Sequence, residues 1–302
     1  MNGILPLWKE RGMTSHDCVF KLRKILKTKK VGHTGTLDPG VEGVLPICIG
    51  QATRIAEYLT DAGKTYEAII SIGRTTTTED AEGETVEQHT AYKSFTRAQI
   101  LQALQTLTGD IQQTPPMFSA VKVNGKKLYE YARAGQTVER PTRQVTIYTL
   151  ELLSEDEIFE GEEVRFAIRI QCSKGTYIRT LAVQIGEALG YPAHMHELVR
   201  TSSGTFTKEH CLTLAEVAAK MELDDQSFIL PVEYALSDYP YVEIDNSNRK
   251  QIFNGQVLPI HPLLKVNEKI VFGVEGKAFA VYIKHPTKDG QMKPDKMFPE
   301  IE

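Results

Sequence analysis

Asp38 is the carboxylate in this chain best placed to do chemistry. It lies in His33-Thr34-Gly35-Thr36-Leu37-Asp38-Pro39-Gly40-Val41-Glu42-Gly43, where three glycines and a proline surround it. Such a run propagates neither a helix nor a central strand. Glycine reaches backbone angles that other residues adopt only with strain, and Pro39 lacks an amide donor and biases Asp38 towards extended geometry. The apolar run Val44 to Ile49 that follows reads as a buried strand. A carboxylate on a Gly-flanked loop beside a buried strand is a side chain held out for use. Asp-Pro-Gly is also ordinary turn chemistry, so on this segment alone a plain turn residue is an equal reading.

Other reactive types are less telling by themselves. Arg179, in Lys174-Gly175-Thr176-Tyr177-Ile178-Arg179, reads as an exposed arginine early in a helix. Tyr66 opens an alternating strand and reads as a core aromatic. His33 alone is a loop residue with a structural hydrogen bond. Gly35 to Gly40 gives GxxxxG, but Val41 stands where a phosphate-binding loop needs Lys. His194 and His196 form an HxH pair with no third histidine or carboxylate cluster nearby, so no metal is expected.

The elements that must carry these residues are legible. Thr14 to Asp17 is a capping-box pattern opening a helix through Lys27, and Thr96 to Gln99 repeats it before Ile100, Leu101 and Leu104. Tyr66, Ala68, Ile70 and Ile72 alternate, as do Val164 to Cys172; Val145 to Leu153 is a further strand. A helix from about Tyr177 to Leu189 is stopped by Gly190 and Pro192. Ile270 to Ile283 reads as a hairpin turning near Glu275-Gly276. Strands interspersed irregularly with helices predict an α+β domain on a mixed or antiparallel sheet, not a doubly wound one.

A chain of 302 residues fits one large domain and a small one. With 41% hydrophobic and 25% charged residues it reads as an ordinary globular protein. MNGILPLWKERG has no signal-peptide core, no stretch has the apolar length of a membrane span, and Cys18, Cys48, Cys172 and Cys211 are scattered. These features predict a reduced, cytoplasmic protein. Net charge is −4, which announces no polyanion, but its distribution is uneven. Lys9 to Lys30 holds eight Lys/Arg against Glu10 and Asp17; Ile111 to Arg143 holds six against Glu130 and Glu139. Acids collect in Glu151 to Glu163 and in Glu222 to Asp245, the latter a candidate domain boundary. Either basic cluster alone is a solvated face; two of them flanking the Asp38 loop predict a side that meets a polyanion.

Five separated blocks carry a family resemblance: HTGTLDPGVEGVLPICIGQATRIAEYL from His33, KTYEA from Lys64, QTPPMFSAVKVNGKKLYEYARAG from Gln113, CSKGTYIRTL from Cys172 and AHMHELVRTSSGTF from Ala193. In order and spacing they resemble the TruB family of bacterial tRNA pseudouridine-55 synthases, closely over residues 3 to 206 and more loosely beyond. At Val41 the family usually has a smaller residue. The resemblance implies a catalytic domain over 1–235, with an RNA-clamping insertion over about 112–140. It also implies a small C-terminal β-barrel of the PUA class, an RNA-binding module, over 239–302.

The implied reaction breaks the N1–C1′ bond of uridine 55 in the T-loop, turns the uracil over and joins C5 to C1′. No atom is gained or lost, so no cofactor or metal is implied. Asp38 matches the catalytic aspartate, which attacks C1′ or takes a proton from C2′ on a glycal route. A carboxylate in a dry pocket protonates unless a cation holds it ionised; Arg179 matches that partner, and such a pair can be bidentate. Tyr66 matches the residue that stacks on the uracil, and its hydroxyl is a candidate acceptor of the C5 proton. Tyr177 and Leu198 match the uridine pocket. His33 matches a contact to RNA where the base has flipped out, a step the chemistry requires. Lys126, Lys127 and Arg133, in the insertion, are expected to bind RNA. The implied partner is the T-arm of tRNA, bound without a guide RNA, with no membrane or protein partner. The alternative is a non-catalytic RNA-binding protein or tRNA-folding chaperone; intact Asp38, Tyr66 and Arg179 argue against a purely binding descendant.

Overall fold

In a computed structural model, which describes residues 1–245 and 248–298, the apolar run after the Asp38 loop is the strand Glu42–Ile49. Its inner residues are buried on both faces, which is why the sequence shows no alternation there. The strand belongs to a nine-stranded mixed sheet. The order is Gly3–Lys9, Glu42–Ile49, Ala193–Ser203, Lys64–Ile72, Val164–Cys172, Arg143–Leu152 and Gly109–Gln113; Val31–His33 and Phe206–Thr207 attach at the sides. Every pairing is antiparallel except that of Ala193–Ser203 with Glu42–Ile49, where Val199 faces Glu42 and Arg200 faces Gly43. The α+β architecture read from the sequence is the one adopted.

Alternation decides which side chains enter the core. Lys64–Ile72 pairs with Val164–Cys172 along its whole length, with Tyr66 opposite Ile170. Their apolar faces meet Leu22, Ile100, Leu181 and Ile185 from three helices in one buried cluster. Truncating such a residue, as in Leu181→Ala, costs about 2–5 kcal/mol. The first helix, Ser15–Ile25, is capped as expected: the Asp17 amide donates to Thr14 Oγ1 at 3.0 Å and the Thr14 amide to Asp17 Oδ2 at 2.9 Å. It stops short of Lys27, whose φ of 52° is left-handed. Arg97–Thr106 repeats the box with Thr96 and Gln99. Ile178–Leu189 ends at Gly190, with φ 80°.

From the end of the acidic stretch onward, Tyr241–Glu243, Lys269–Val274, Lys277–Lys284, Gln291–Met297 and Leu258–Pro259 form a curled five-stranded half-barrel. Its hairpin turns at Glu275 and Gly276, both left-handed, as a two-residue turn requires. The module expected over 239–302 includes 246–247 and 299–302, which lie outside the described residues. It packs firmly on the large sheet. Val271, Ala278, Val281 and Phe298 share an apolar cluster with Ile4, Val44, Ala52 and Ile55. Lys296 pairs with Glu57 at 2.6 Å, and Tyr58 donates to Asp295. Among the described residues, no helix is long and apolar enough to cross a membrane.

Candidate active site

The Asp38 loop is held from four sides. The Leu37 amide donates to Ser15 Oγ at 2.9 Å, Thr34 Oγ1 donates to Pro46 O at 3.0 Å, and the Gly12 amide donates to Pro39 O at 2.9 Å. Lys9 Nζ donates to Val41 O at 2.5 Å and reaches Pro39 O at 3.4 Å. The Val41 amide closes a turn on Asp38 O at 3.0 Å, so Asp38 is a turn residue as well as a presented carboxylate. One glycine is forced by packing: a Cβ at Gly43 would lie 2.3 Å from Arg200 O, whereas one at Gly40 would meet only the movable carboxylate of Glu82. Lys9 corrects the sequence reading of the first basic stretch. It is fully buried, its charge serves the loop carbonyls, and burial lowers its pKa. The cations that face water there are Arg11, Lys21, Arg23, Lys24, Lys27, Lys29 and Lys30.

Arg179, the second residue of its helix, is buried, contrary to its isolated reading. Its Nε lies 3.1 Å from Asp38 Oδ2. The pair is not a two-bond fork. Nη1 donates to Thr78 O at 3.0 Å and approaches Asp80 Oδ2 at 3.8 Å, while Nη2 donates to Phe118 O at 2.9 Å. One guanidinium thus joins the Asp38 loop, the 76–82 loop and the excursion after Gln113. The Asp38 side chain is 42% exposed, opening onto a cleft, yet enclosure by protein raises its pKa above the usual aspartate value. Arg179 is the main opposing influence; Asp80 pushes the pKa further up and Lys9 pulls it down.

The cleft has a volume of about 320 Å³, at the lower end for small-ligand sites. Asp38, Tyr66, Tyr177, Arg179 and Leu198 all line it. Tyr66 is a buried wall; desolvation raises its hydroxyl pKa, and Arg200 opposes the rise. Tyr177 begins the Arg179 helix, and its amide donates to Gln113 Oε1 at 2.9 Å in place of a side-chain cap at that end. The Arg143 guanidinium sits 5.0 Å from the Tyr177 ring centroid. His33 is not among the lining residues. It stands at the stem of the loop opposite Ile47, its Nδ1 buried without a partner and its pKa lowered by burial. His194 and His196 also lie outside the cleft, with ring centroids 6.1 Å apart.

Lys126, Lys127 and Arg133 belong to the excursion over 114–142, between two strands of the main sheet. There Lys122–Val123 pairs with Lys126–Lys127, and a short helix, Leu128–Arg133, follows. Lys126 lies 5.9 Å from the Tyr131 ring; Lys127 and Arg133 lie 5.3 and 5.2 Å from the Tyr129 ring. The segment is thus partly ordered by its own cation–aromatic contacts.

Sequence reasoning missed two parts of the site. One is the 76–82 loop, whose Thr78 Oγ1 donates to Asp80 Oδ1 at 2.5 Å and whose carbonyl and carboxylate hold Arg179. Its signal was present as four threonines before Glu79-Asp80. The other is Arg200, whose burial no local pattern announces.

The comparisons with known proteins show the family to which the chain belongs. Residues 23–178 match the model of the TruB family pseudouridylate synthase N-terminal domain, and residues 179–237 that of the tRNA pseudouridylate synthase B C-terminal domain. The chain is 57% identical to tRNA pseudouridine synthase B of Listeria innocua, covering 98% of each. It is 56% identical to that of Geobacillus thermodenitrificans, covering 99% of this chain and 100% of the relative. Among solved structures it is similar to a Cbf5-Nop10-Gar1 complex, at 28% identity and a TM-score of 0.71, over 98% of this chain and 84% of that one. An H/ACA RNP bound to a substrate RNA containing 2′-deoxyuridine matches at 26% identity, with a TM-score of 0.70 and the same coverage. With family models and near full-length relatives in accord, the chain belongs to the TruB family of pseudouridylate synthases, which are isomerases.

Proposed function

We propose that this enzyme binds tRNA directly, flips uridine 55 of the T-loop into the Asp38 cleft and isomerises it to pseudouridine. The observation that carries the reading is the buried Arg179 guanidinium 3.1 Å from Asp38, in a cleft walled by Tyr66. The name shared by its curated relatives, tRNA pseudouridine synthase B, supplies the substrate class.

Detaching and rejoining a base asks for an oriented carboxylate, a face for the uracil and room to turn it. Asp38 supplies the first. Whether it attacks C1′ or takes a proton from C2′, Arg179 fixes its orientation and favours its ionised form. Tyr66 supplies the face. Its raised hydroxyl pKa makes it a poor proton acceptor, so stacking is its role in this reading. Tyr177 and Leu198 flank the base, and His33, outside the cleft, meets RNA at the gap the base leaves. Lys126, Lys127 and Arg133 hold the T-arm through the insertion at about 112–140. The half-barrel over 239–302 acts as a second RNA-binding unit beside a catalytic domain over 1–235. The enzyme works in the cytoplasm, where its substrate is.

The test is incubation with an unmodified T-arm hairpin, followed by mapping of pseudouridine. Conversion at the T-loop uridine is expected. Bound RNA without pseudouridine would overturn the reading.

A further inference from the structure

Arg200 is 1% exposed and among the largest fully buried side chains of the molecule. Its Nε donates to Val44 O at 2.7 Å, while Nη2 is buried with no hydrogen-bond partner. It lines the Asp38 cleft, across the strand pair from Tyr66. Lys64, also buried and lining the cleft, donates to Thr60 O at 2.7 Å and Ala62 O at 2.5 Å. Among the described residues neither cation has a carboxylate partner. Gly35 roofs both: a Cβ there would stand 3.6 Å from Arg200 Nη1 and 3.8 Å from Lys64 Cε. A buried charge without counter-charge is costly unless something completes it.

We propose that Arg200, aided by Lys64, is a catalytic group that holds the negative charge of the detached uracil. This rests on the pseudouridine-synthase reading above. When the C1′–N1 bond breaks, its electron pair leaves with the base and spreads over N1, O2 and O4. It returns when C5 bonds to C1′; the C5 proton is then lost and N1 takes up a proton. The charge is therefore transient, and it arises on either route open to Asp38. An RNA phosphate is the other anion the substrate offers, but phosphates stay with the backbone at the cleft mouth. In the flipped-base reading it is the base that enters against the wall where Tyr66 and Arg200 meet. A prepositioned donor at the site of developing charge lowers a barrier without reorganisation.

The test compares T-arm hairpins carrying uridine or 5-fluorouridine at the target position, following loss of the starting nucleotide in single turnover. For uridine, Arg200→Gln should slow conversion by about 10²–10³-fold, as for loss of one oxyanion donor. For 5-fluorouridine, whose base bears charge more easily, the loss should be about tenfold smaller. Arg200→Lys should regain part of the rate, since it keeps the charge. Equal losses for both bases, or equal rates for the Gln and Lys variants, would make Arg200 a structural support for Val44 and overturn the assignment. A second measurement needs no variant. Inhibition of the unaltered enzyme by 5-nitrouracil, a more acidic base, should tighten as pH rises through that compound's own ionisation, and inhibition by uracil should not. A flat or weakening trend would overturn the assignment. Failure of the unaltered enzyme to convert either hairpin would overturn the reading beneath it instead.

Discussion

Lys9, Lys64, Arg179 and Arg200 around the Asp38 cleft are buried and donate to backbone carbonyls, whereas Lys21, Lys24, Lys126 and Arg133 stand in water. Of the exposed set, Lys24 lies 4.4 Å from the Phe20 ring and Arg133 lies over Tyr129. The two sets carry the same charge under different physics. Inside, a charge is little screened, and its carbonyl bonds fix where it points. Outside, charges more than about 8 Å apart are largely screened at physiological salt. In the proposed function the inner cations therefore serve the chemistry, and the outer ones association with RNA. A net charge of −4 reports on neither.

The sharpest way to break this division is at the carboxylate the inner cations serve. Asp38→Asn is nearly isosteric and keeps the turn, but an amide is neither nucleophile nor base. Turnover should fall by at least about 10²–10⁴-fold, while tRNA affinity stays within a few-fold of the parent. Single-turnover assays and filter binding on the same preparation check both. Residual turnover above that range, with deamidation excluded by mass spectrometry, would remove Asp38 from the chemistry.

Arg179→Lys is the next largest effect. An ammonium keeps the charge but cannot reach Asp38, Thr78 O and Phe118 O together as the guanidinium does. Misplacing the carboxylate should lower the single-turnover rate by about a hundredfold with little change in affinity. The pH profile adds a direction. Asp38 must be ionised to act, and its pKa is raised, so the acid limb of kcat/KM should lie above the ordinary aspartate range. Arg179→Gln removes the main influence that lowers that pKa, so the limb should move to still higher pH. A limb that stays put would mean that Arg179 positions Asp38 without tuning it.

Tyr66 tests the wall of the inner region. Tyr66→Leu should cost roughly 1–3 kcal/mol, the worth of one base stacked on an aromatic ring. Tyr66→Phe keeps the ring, and since the hydroxyl pKa is raised, it should be nearly normal. A large C5-deuterium isotope effect in the Phe variant alone would show that the hydroxyl takes the proton after all.

The contrast also explains what the sequence made legible. Elements governed by local rules were readable: the Thr14 and Thr96 caps, the alternation of Tyr66 to Ile72 and the left-handed Glu275-Gly276 turn all sit where patterns of a few residues put them. The strands Gly3–Lys9 and Ala193–Ser203 were not. Pro6 faces Pro46 in the first, and the second pairs on both sides with two register shifts, so neither keeps a clean period. At the site, Asp38 was visible because its loop chemistry is local. The burial of Arg200 was invisible, because it follows from a close approach at Gly43 of segments 157 positions apart (43 to 200), and that of Lys9 because its partners, Pro39 O and Val41 O, lie 30 and 32 positions on. Arg179 was recognised through the family motif, while its three-way bonding to Asp38, Thr78 and Phe118 emerged only in three dimensions.

The smallest effect on the bound complex should come from the outer set, and this is what completes the comparison. If Lys126, Lys127 and Arg133 meet RNA, each neutralised phosphate releases counterions and adds roughly −0.7 to −0.9 to the slope of log affinity against log salt. Replacing all three with Ala should make that slope shallower and raise the tRNA dissociation constant. Their rings remain, so loss of the Tyr129 and Tyr131 contacts should loosen the segment without unfolding it. The rate of the bound complex should change little, because none of the three lines the cleft. The excursion does touch the site at one place, Phe118 O on Arg179, and this gives the experiment its second arm. If the triple variant also slows the bound complex, the clamp and the guanidinium act as one unit through that bond, and the separation of inner from outer cations fails. If affinity and slope are both unchanged, the excursion is a solvated loop, and the exposed cations around Lys21 to Lys30 become the surface to replace next.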